Sequence, residues 1–217
     1  MTRRLVAVPA AISLLVTLLR LAGERAGLSE AWFSTATQGI VPSGMTWLVG
    51  ITWLAAPFGA YFGWRLARAG QGPGSKGRAL AVSLAGAAIA VLGLLVWRPP
   101  FSFPGFLFYV WSVMAIAAAV QFLAWPALAR TTVVYGLLAR IPVAIVMLLA
   151  MRGGWNTHYD YKGIDFAQTL PLWPRFVYLA LVPQLVFWVG FTVVVGTLVG
   201  SLTALAVARS FPATIPE

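Results

Sequence analysis

The sequence predicts an all-α integral membrane protein whose single domain, residues 1–217, is a bundle of six transmembrane helices. Hydrophobic residues make up 60% of the chain and charged residues only 9%, whereas about a quarter of the residues in a soluble domain are charged. Six apolar windows reach the roughly 20 residues that cross a hydrocarbon core of about 30 Å. None alternates apolar with polar residues as a membrane β-barrel strand does. The windows are residues 5–22, 45–66, 79–97, 106–128, 131–151 and 176–208.

The first window is predicted to be a transmembrane helix rather than a cleaved signal peptide. Arg3 and Arg4 precede its apolar run, as basic residues would in a signal peptide. However, no small-residue cleavage site follows promptly, and Arg20 interrupts the end of the run. We therefore expect this window to remain in the protein as its first span.

Prolines are expected to distort three of the later windows. Pro57 lies in the second window, Pro142 in the fifth and Pro183 in the sixth, and proline removes a backbone hydrogen bond from a helix interior. At 1.5 Å per residue the sixth window would be about 50 Å long, which exceeds the thickness of the core. The sequence therefore predicts a long sixth helix that is kinked near Pro183.

Basic residues in the loops predict the orientation. With a cytoplasmic N-terminus, eight Lys and Arg side chains fall on the inner side and six on the outer side, and such an excess marks the cytoplasmic side. Both termini are then cytoplasmic. We expect a multi-pass protein of a cell membrane, with the bacterial plasma membrane favoured and the lipid bilayer as its partner.

The remaining composition narrows the chemistry. The formal net charge of +10 does not indicate nucleic-acid binding, because the basic residues are spread over the span ends, where topology and anionic head groups explain them. The chain contains no cysteine, so disulfides and thiol chemistry are excluded. The sequence identifies no cofactor and no metal site.

Arg140 is the most informative residue, because it lies near the middle of the fifth window. A charge at the bilayer centre costs at least about 2.5 kcal/mol and normally marks function or an internal partner. No Asp or Glu lies in any window, so the predicted partners are Gln121 and Gln184 in neighbouring windows, the carbonyl freed by Pro142, and Ser, Thr and Tyr hydroxyls. A guanidinium binds a carboxylate or phosphate bidentately, which predicts an anion site. The alternative is an arginine that satisfies carbonyls and holds a kinked helix.

The segment after the fifth window gathers most of the titratable side chains, including the only histidine and both aspartates. We predict that it lies above Arg140 and covers a cavity. His158, oriented by Asp160 or Asp165, could act as a general acid or base, and aromatic rings could clamp a ligand. The alternative is an ordered polar lid without a site. The predicted ligand-binding residues here are Arg152, Trp155, Asn156, His158, Tyr159, Asp160, Tyr161 and Asp165.

Small residues recur every fourth position in the last window, at Gly196, Gly200, Ala204 and Ala208. This spacing lets the backbone of another helix approach closely. Packing inside the bundle is favoured over a seam between copies in a homo-oligomer.

These features favour a protein that binds a small or lipid-like anionic ligand in a cavity open to the outer side, as a transporter or its substrate-binding subunit. The first alternative is a membrane enzyme that acts on a lipid or isoprenoid through His158, Asp160 and Asp165, although no serine–histidine motif, aspartate-rich motif or metal cluster supports it. The second is a structural subunit of a membrane complex. Proton pumping is disfavoured, because no intramembrane carboxylate is present to carry the ion.

Overall fold

The computed structural model describes residues 2–35, 48–96, 103–160 and 169–209, and these residues form helices and no strands. Five helical segments are long and apolar enough to cross a membrane, so the chain is a multi-pass membrane protein. They are Thr2–Arg25, Lys76–Leu95, Gly105–Ala124, Pro126–Gly153 and Leu172–Val207. The helices are α1 (Thr2–Arg25), α2 (Glu30–Phe33), α3 (Ala55–Arg68), α4 (Lys76–Val96), α5 (Phe103–Ala124), α6 (Pro126–Gly153), α7 (Leu172–Phe176) and α8 (Val189–Arg209).

Helix α8 is the centre of the bundle and packs against α3, α4, α5 and α6. A Cβ atom added to Gly59 would lie 2.5 Å from the backbone of Gly196, and one added to Gly63 would lie 2.5 Å from the carbonyl oxygen of Gly200. The two glycine pairs therefore bring the backbones of α3 and α8 into contact. Because Gly59 meets Gly196 and Gly63 meets Gly200, the two helices run in the same direction. Ala204 is also buried, whereas the side chain of Ala208 lies outside the described residues.

The second predicted window differs from the structure. Residues 48–51 form turns and bends, a 3-10 turn occupies Thr52–Leu54, and α3 begins only at Ala55. Helix α3 has 14 residues, which corresponds to about 21 Å. The prediction of a continuous helix over residues 45–66 is therefore wrong at its start. Pro57 lies in the first turn of α3, where proline is tolerated, so it does not break a longer helix.

The boundary between the fourth and fifth windows also lies earlier than predicted. The chain leaves α5 at Trp125, whose backbone is extended with φ −152° and ψ 90°, and α6 starts at Pro126. Proline is favoured at the first position of a helix, since its missing N–H has no helical partner there. Arg130 consequently lies within α6. The Trp125 Nε1 donates a hydrogen bond to the Gln71 carbonyl at 2.7 Å, which ties this break to the connection between α3 and α4.

The last helical segment contains two π-helical stretches between α7 and α8. They span Val177–Leu181 and Pro183–Trp188. Proline cannot donate a backbone hydrogen bond, and Pro183 stands at the start of the second stretch. The kink near Pro183 and the count of six crossings remain predictions.

The two ends of the bundle differ in charge. We call the end where α1 begins the basic end, and the end where α1 and α6 terminate the loop end. Helices α1 and α6 run in the same direction, because Ser13 contacts Tyr135 and Arg25 contacts Trp155. All Asp and Glu side chains of the described residues lie at the loop end. They are Glu24, Glu30 and Asp160.

Candidate functional site

The guanidinium of Arg140 is buried at the middle of α6, with 5% of the residue exposed. Its Nη1 donates a hydrogen bond to Gln184 Oε1 at 3.4 Å, and its Nη2 donates to Thr52 Oγ1 at 3.2 Å. Its Cζ lies 4.8 Å from the centroid of the Trp188 ring. These three partners are neutral, and among the described residues no Asp or Glu forms a salt bridge with Arg140.

Thr52 also places the start of a helix beside Arg140. The hydrogen bond from Arg140 puts Thr52 level with the middle of α6. Thr52 opens the 3-10 turn that leads into α3, and Ile51, at the N-cap position, provides no side-chain cap. The positive end of a helix dipole therefore lies near a buried cation. Residues 48–51, which precede Thr52, are not helical.

Of the two glutamines predicted as partners of Arg140, the structure brings one to it. Gln184 contacts Arg140 and donates from Nε2 to the sulfur of Met147 at 3.5 Å. Gln121 instead lies between α4 and α5, and its Nε2 contacts the carbonyl oxygens of Ser83 and Ala117, each at 3.4 Å. The described residues offer no hydrogen-bond partner to the buried Oε1 of Gln121.

The segment that follows α6 is folded around Asp160. Helix α6 is capped by Gly154, which adopts a left-handed backbone with φ of +57°, and Asn156 has φ of +55°. One carboxylate oxygen of Asp160 accepts the backbone N–H of Asn156 at 2.8 Å, and the other accepts the Thr157 hydroxyl at 3.1 Å. Asp160 is therefore engaged in holding its own loop, rather than in orienting His158.

Glu24 at the end of α1 fixes this loop to the bundle. Its carboxylate accepts a hydrogen bond from Arg20 Nε at 2.9 Å and one from the backbone N–H of His158 at 3.0 Å. The imidazole Nδ1 of His158 lies 2.5 Å from Oε1 of Glu24, and this contact is an ion pair only when the imidazole is protonated. Glu24 was not among the predicted site residues. The Arg20–Glu24 spacing of four residues, which pairs charges on a helix face, was the signal available for it.

The other predicted loop residues take separate places. The carbonyl oxygen of Trp155 accepts a hydrogen bond from Arg25 at 3.5 Å, and Arg25 lies 5.6 Å from the Trp155 ring centroid. Arg152 is exposed. Tyr161 and Asp165 lie outside the described residues.

A column of hydroxyl groups runs down α1 from the loop towards the level of Arg140. The Tyr159 hydroxyl donates to the Thr17 carbonyl at 3.2 Å, and the Thr17 hydroxyl donates to the Ser13 carbonyl at 2.9 Å. The Ser13 and Tyr135 hydroxyls are 2.8 Å apart. Burial raises the pKa of Tyr159, so its hydroxyl keeps its proton. Tyr135 precedes Arg140 by five residues on α6, so the column reaches past the level of Arg140 towards the basic end.

Comparison with protein-family models, with curated proteins and with solved structures gives no match. Within the parts of the chain that the structure describes, no group of three or more His, Asp or Glu side chains could hold a metal ion. The function is therefore argued from the residues around Arg140.

Proposed function

We propose that this multi-pass membrane protein binds a small or lipid-like anion at Arg140, in a cavity reached from the loop end. A transporter, or the substrate-binding subunit of one, would have this arrangement. The observation that carries the proposal is a guanidinium, buried at the middle of a helix long enough to cross the membrane, whose hydrogen-bond and ring partners among the described residues are all neutral.

A buried cation with neutral partners is poorly compensated. Removing a charge from water costs several kcal/mol, and a partner of opposite charge must return most of it. The hydrogen bonds that Arg140 donates to Gln184 and Thr52, together with the ring of Trp188, return only part of this cost. A carboxylate or phosphate on a ligand would complete the site, since a guanidinium presents two parallel donors to either group.

The start of α3 supports the same assignment. In membrane transporters, interrupted helices whose N-termini point at the middle of the membrane bind anionic groups of the substrate. Irregular backbone at that depth is tolerated where it is buried in protein or lines a cavity. Residues 48–51 are irregular, and they precede a helix that begins beside Arg140. The helix dipole and the guanidinium would then attract the same anion.

The column of hydroxyl groups supports access to Arg140 from the loop end. Ser13, Thr17, Tyr135 and Tyr159 form a buried series of polar groups that starts at the loop end and passes the level of Arg140. Hydroxyls can bind the polar part of a ligand without adding charge. Access from the loop end would then be controlled by the segment that Glu24 fastens to α1.

Native mass spectrometry of the purified protein tests the proposal. We expect a co-purified anionic small molecule or lipid in the wild-type protein. In Arg140→Gln its occupancy should fall by about tenfold or more, because a hydrogen bond to a charged group contributes about 1.5–3 kcal/mol. Arg130→Gln is the matched control, since it removes an exposed arginine from the same helix.

The stability of the ligand-free protein separates binding from a structural role. If Arg140 serves a ligand, Arg140→Gln should unfold at the same temperature as the ligand-free wild type or at a higher one, because a buried unpaired charge is removed. A variant that loses stability but keeps the co-purified molecule would overturn the proposal in favour of an arginine that only holds its helix.

A further inference from the structure

A second cationic site lies at the opposite end of the bundle. Helices α1 and α3 both pack against α6, and a cleft of about 500 Å³ opens beside them at the basic end. The cleft is lined by Arg4, Leu5, Tyr61 and Arg65. None of these four residues is among the hydrogen-bond or ring partners of Arg140, so the cleft is a separate candidate site.

The two arginines of this cleft have no acidic partner among the described residues. Both salt-bridge contacts of the described residues involve Glu24, which lies at the loop end. Arg4 and Arg65 are exposed, and the guanidinium of Arg65 lies 5.9 Å from the Trp64 ring centroid. Two guanidinium groups from different helices and a tyrosine therefore border one cleft, and guanidinium groups bind phosphate oxygens bidentately.

An apolar stripe continues from Arg4 along the outside of α1. Val8, Ile12, Leu15 and Leu19 follow Arg4 at intervals of three and four residues, so they lie on the same face of the helix. All four side chains are exposed. An acyl chain whose head group sits at Arg4 would lie along this stripe. An inorganic phosphate would use only the cleft.

We propose that the cleft formed by Arg4, Tyr61 and Arg65 binds the phosphate group of an anionic membrane lipid, whose acyl chain lies along the exposed stripe of α1. Basic pockets between transmembrane helices are suited to such head groups, because the phosphate meets fixed positive charge at the depth of the membrane surface. The stripe favours a lipid over free phosphate as the source of the group.

The full chain in nanodiscs of phosphatidylcholine with added phosphatidylglycerol tests this site. Native mass spectrometry counts the phosphatidylglycerol molecules that stay bound. We expect the double variant Arg4→Gln/Arg65→Gln to retain about thirtyfold less than the wild type, since each of the two basic side chains contributes about 1 kcal/mol to attraction for anionic lipid. Arg3→Gln/Arg78→Gln is the control, because it removes two exposed charges from the same end outside the cleft.

The outcomes separate the sources of the phosphate group. Loss of phosphatidylglycerol from the cleft variant alone, without competition from inorganic phosphate, supports a lipid site. If inorganic phosphate stabilises the wild type but not the cleft variant, and no lipid is retained, the lipid source is overturned and a phosphate site remains. Equal retention by the cleft and control variants would overturn the site, because general attraction to basic residues would then explain the binding.

Discussion

Glu24 connects two segments that lie far apart in the chain. It accepts a hydrogen bond from Arg20 one helical turn away and another from the backbone of His158, and it contacts the His158 imidazole. Because the backbone of the loop is held by a side chain of α1, the loop and the end of α1 should move together. Opening a path to Arg140 from this end would require breaking these contacts.

The protonation state of His158 should make the contacts between Glu24 and the loop sensitive to pH. Burial lowers the pKa of His158 and Arg20 lowers it further, while Glu24 and Asp160 act in the opposite direction. The pKa of His158 is therefore lower in the folded protein than its unperturbed value of about 6.5. The stability that neutral His158 contributes is present above about pH 6.5, and it is lost as the pH falls through the pKa of His158 in the folded protein.

Hydrogen exchange of residues 154–160 at pH 7.5 and 5.5, corrected for intrinsic rates, measures this effect. We expect the amide protons of Asn156 and His158 to lose protection at pH 5.5 in the wild type. The His158→Gln variant should show a smaller change. Stronger protection at pH 5.5 would contradict the prediction and would mean that a protonated His158 paired with Glu24 dominates.

At the residue scale, the sequence identified charges that stand out against their surroundings. Arg140 was found because it interrupts an apolar window. Hydroxyl groups were among the expected partners of Arg140, but Thr52 was not singled out, because a hydroxyl within such a window carries no signal of its own and its contact with Arg140 joins residues on different helices. The loop contact of Glu24 was missed for the same reason, since its partner follows it by 134 positions.

At the element scale, α3 depends on close contact with α8. Ala at position 63 would place Cβ 2.5 Å from the carbonyl oxygen of Gly200, which is backbone and cannot rotate away. We expect Gly63→Ala to destabilise the protein by about 1–3 kcal/mol, as overpacking in a core does. The midpoint of thermal unfolding in detergent measures the change.

A second glycine provides the control for this substitution. Gly77 is exposed in the first turn of α4, and a Cβ atom added to it would meet nothing within 4 Å. Gly77→Ala should leave stability unchanged or raise it by up to about 1 kcal/mol, because alanine favours helix. If both variants unfold at the wild-type temperature, the backbone contact between α3 and α8 is not what holds α3 in place.

The boundaries of the elements were less predictable than their existence. Hydropathy placed residues 48–51 inside a span because Val49 and Ile51 are apolar, and both are indeed buried. Burial of apolar residues does not require helical backbone, so the late start of α3 gave no signal in the composition. The start of α6 did have a signal, since Pro126 is suited to the first position of a helix.

At the scale of the whole molecule, charge is divided between the ends of the bundle. The described carboxylates all lie at the loop end, and the cleft between Arg4 and Arg65 lies at the basic end. Basic residues favour the cytoplasmic side, so we predict that the basic end faces the cytoplasm and the loop end faces outward. The proposed path to Arg140 would then open to the outside.

The absence of cysteine from the chain makes this orientation testable with single introduced thiols. Gly74 lies in the connection between α3 and α4, where a Cβ atom added to it would meet nothing within 4 Å, and Leu28 is 51% exposed beyond the end of α1. In intact cells, a membrane-impermeant maleimide should label Leu28→Cys and not Gly74→Cys. Both should react after the membrane is permeabilised.

The labelling result also decides whether the half-length α3 crosses the membrane. Helix α1 leads to Leu28 at the loop end, and α3 leads to Gly74 at the basic end. Labels on opposite sides require the irregular segment before Thr52 and the 14 residues of α3 to complete a crossing together, as an interrupted span would. Labelling of both thiols in intact cells would mean that α3 returns to the side it came from. The loop end would then not be separated from the basic end by a sixth span, and the predicted topology would be wrong.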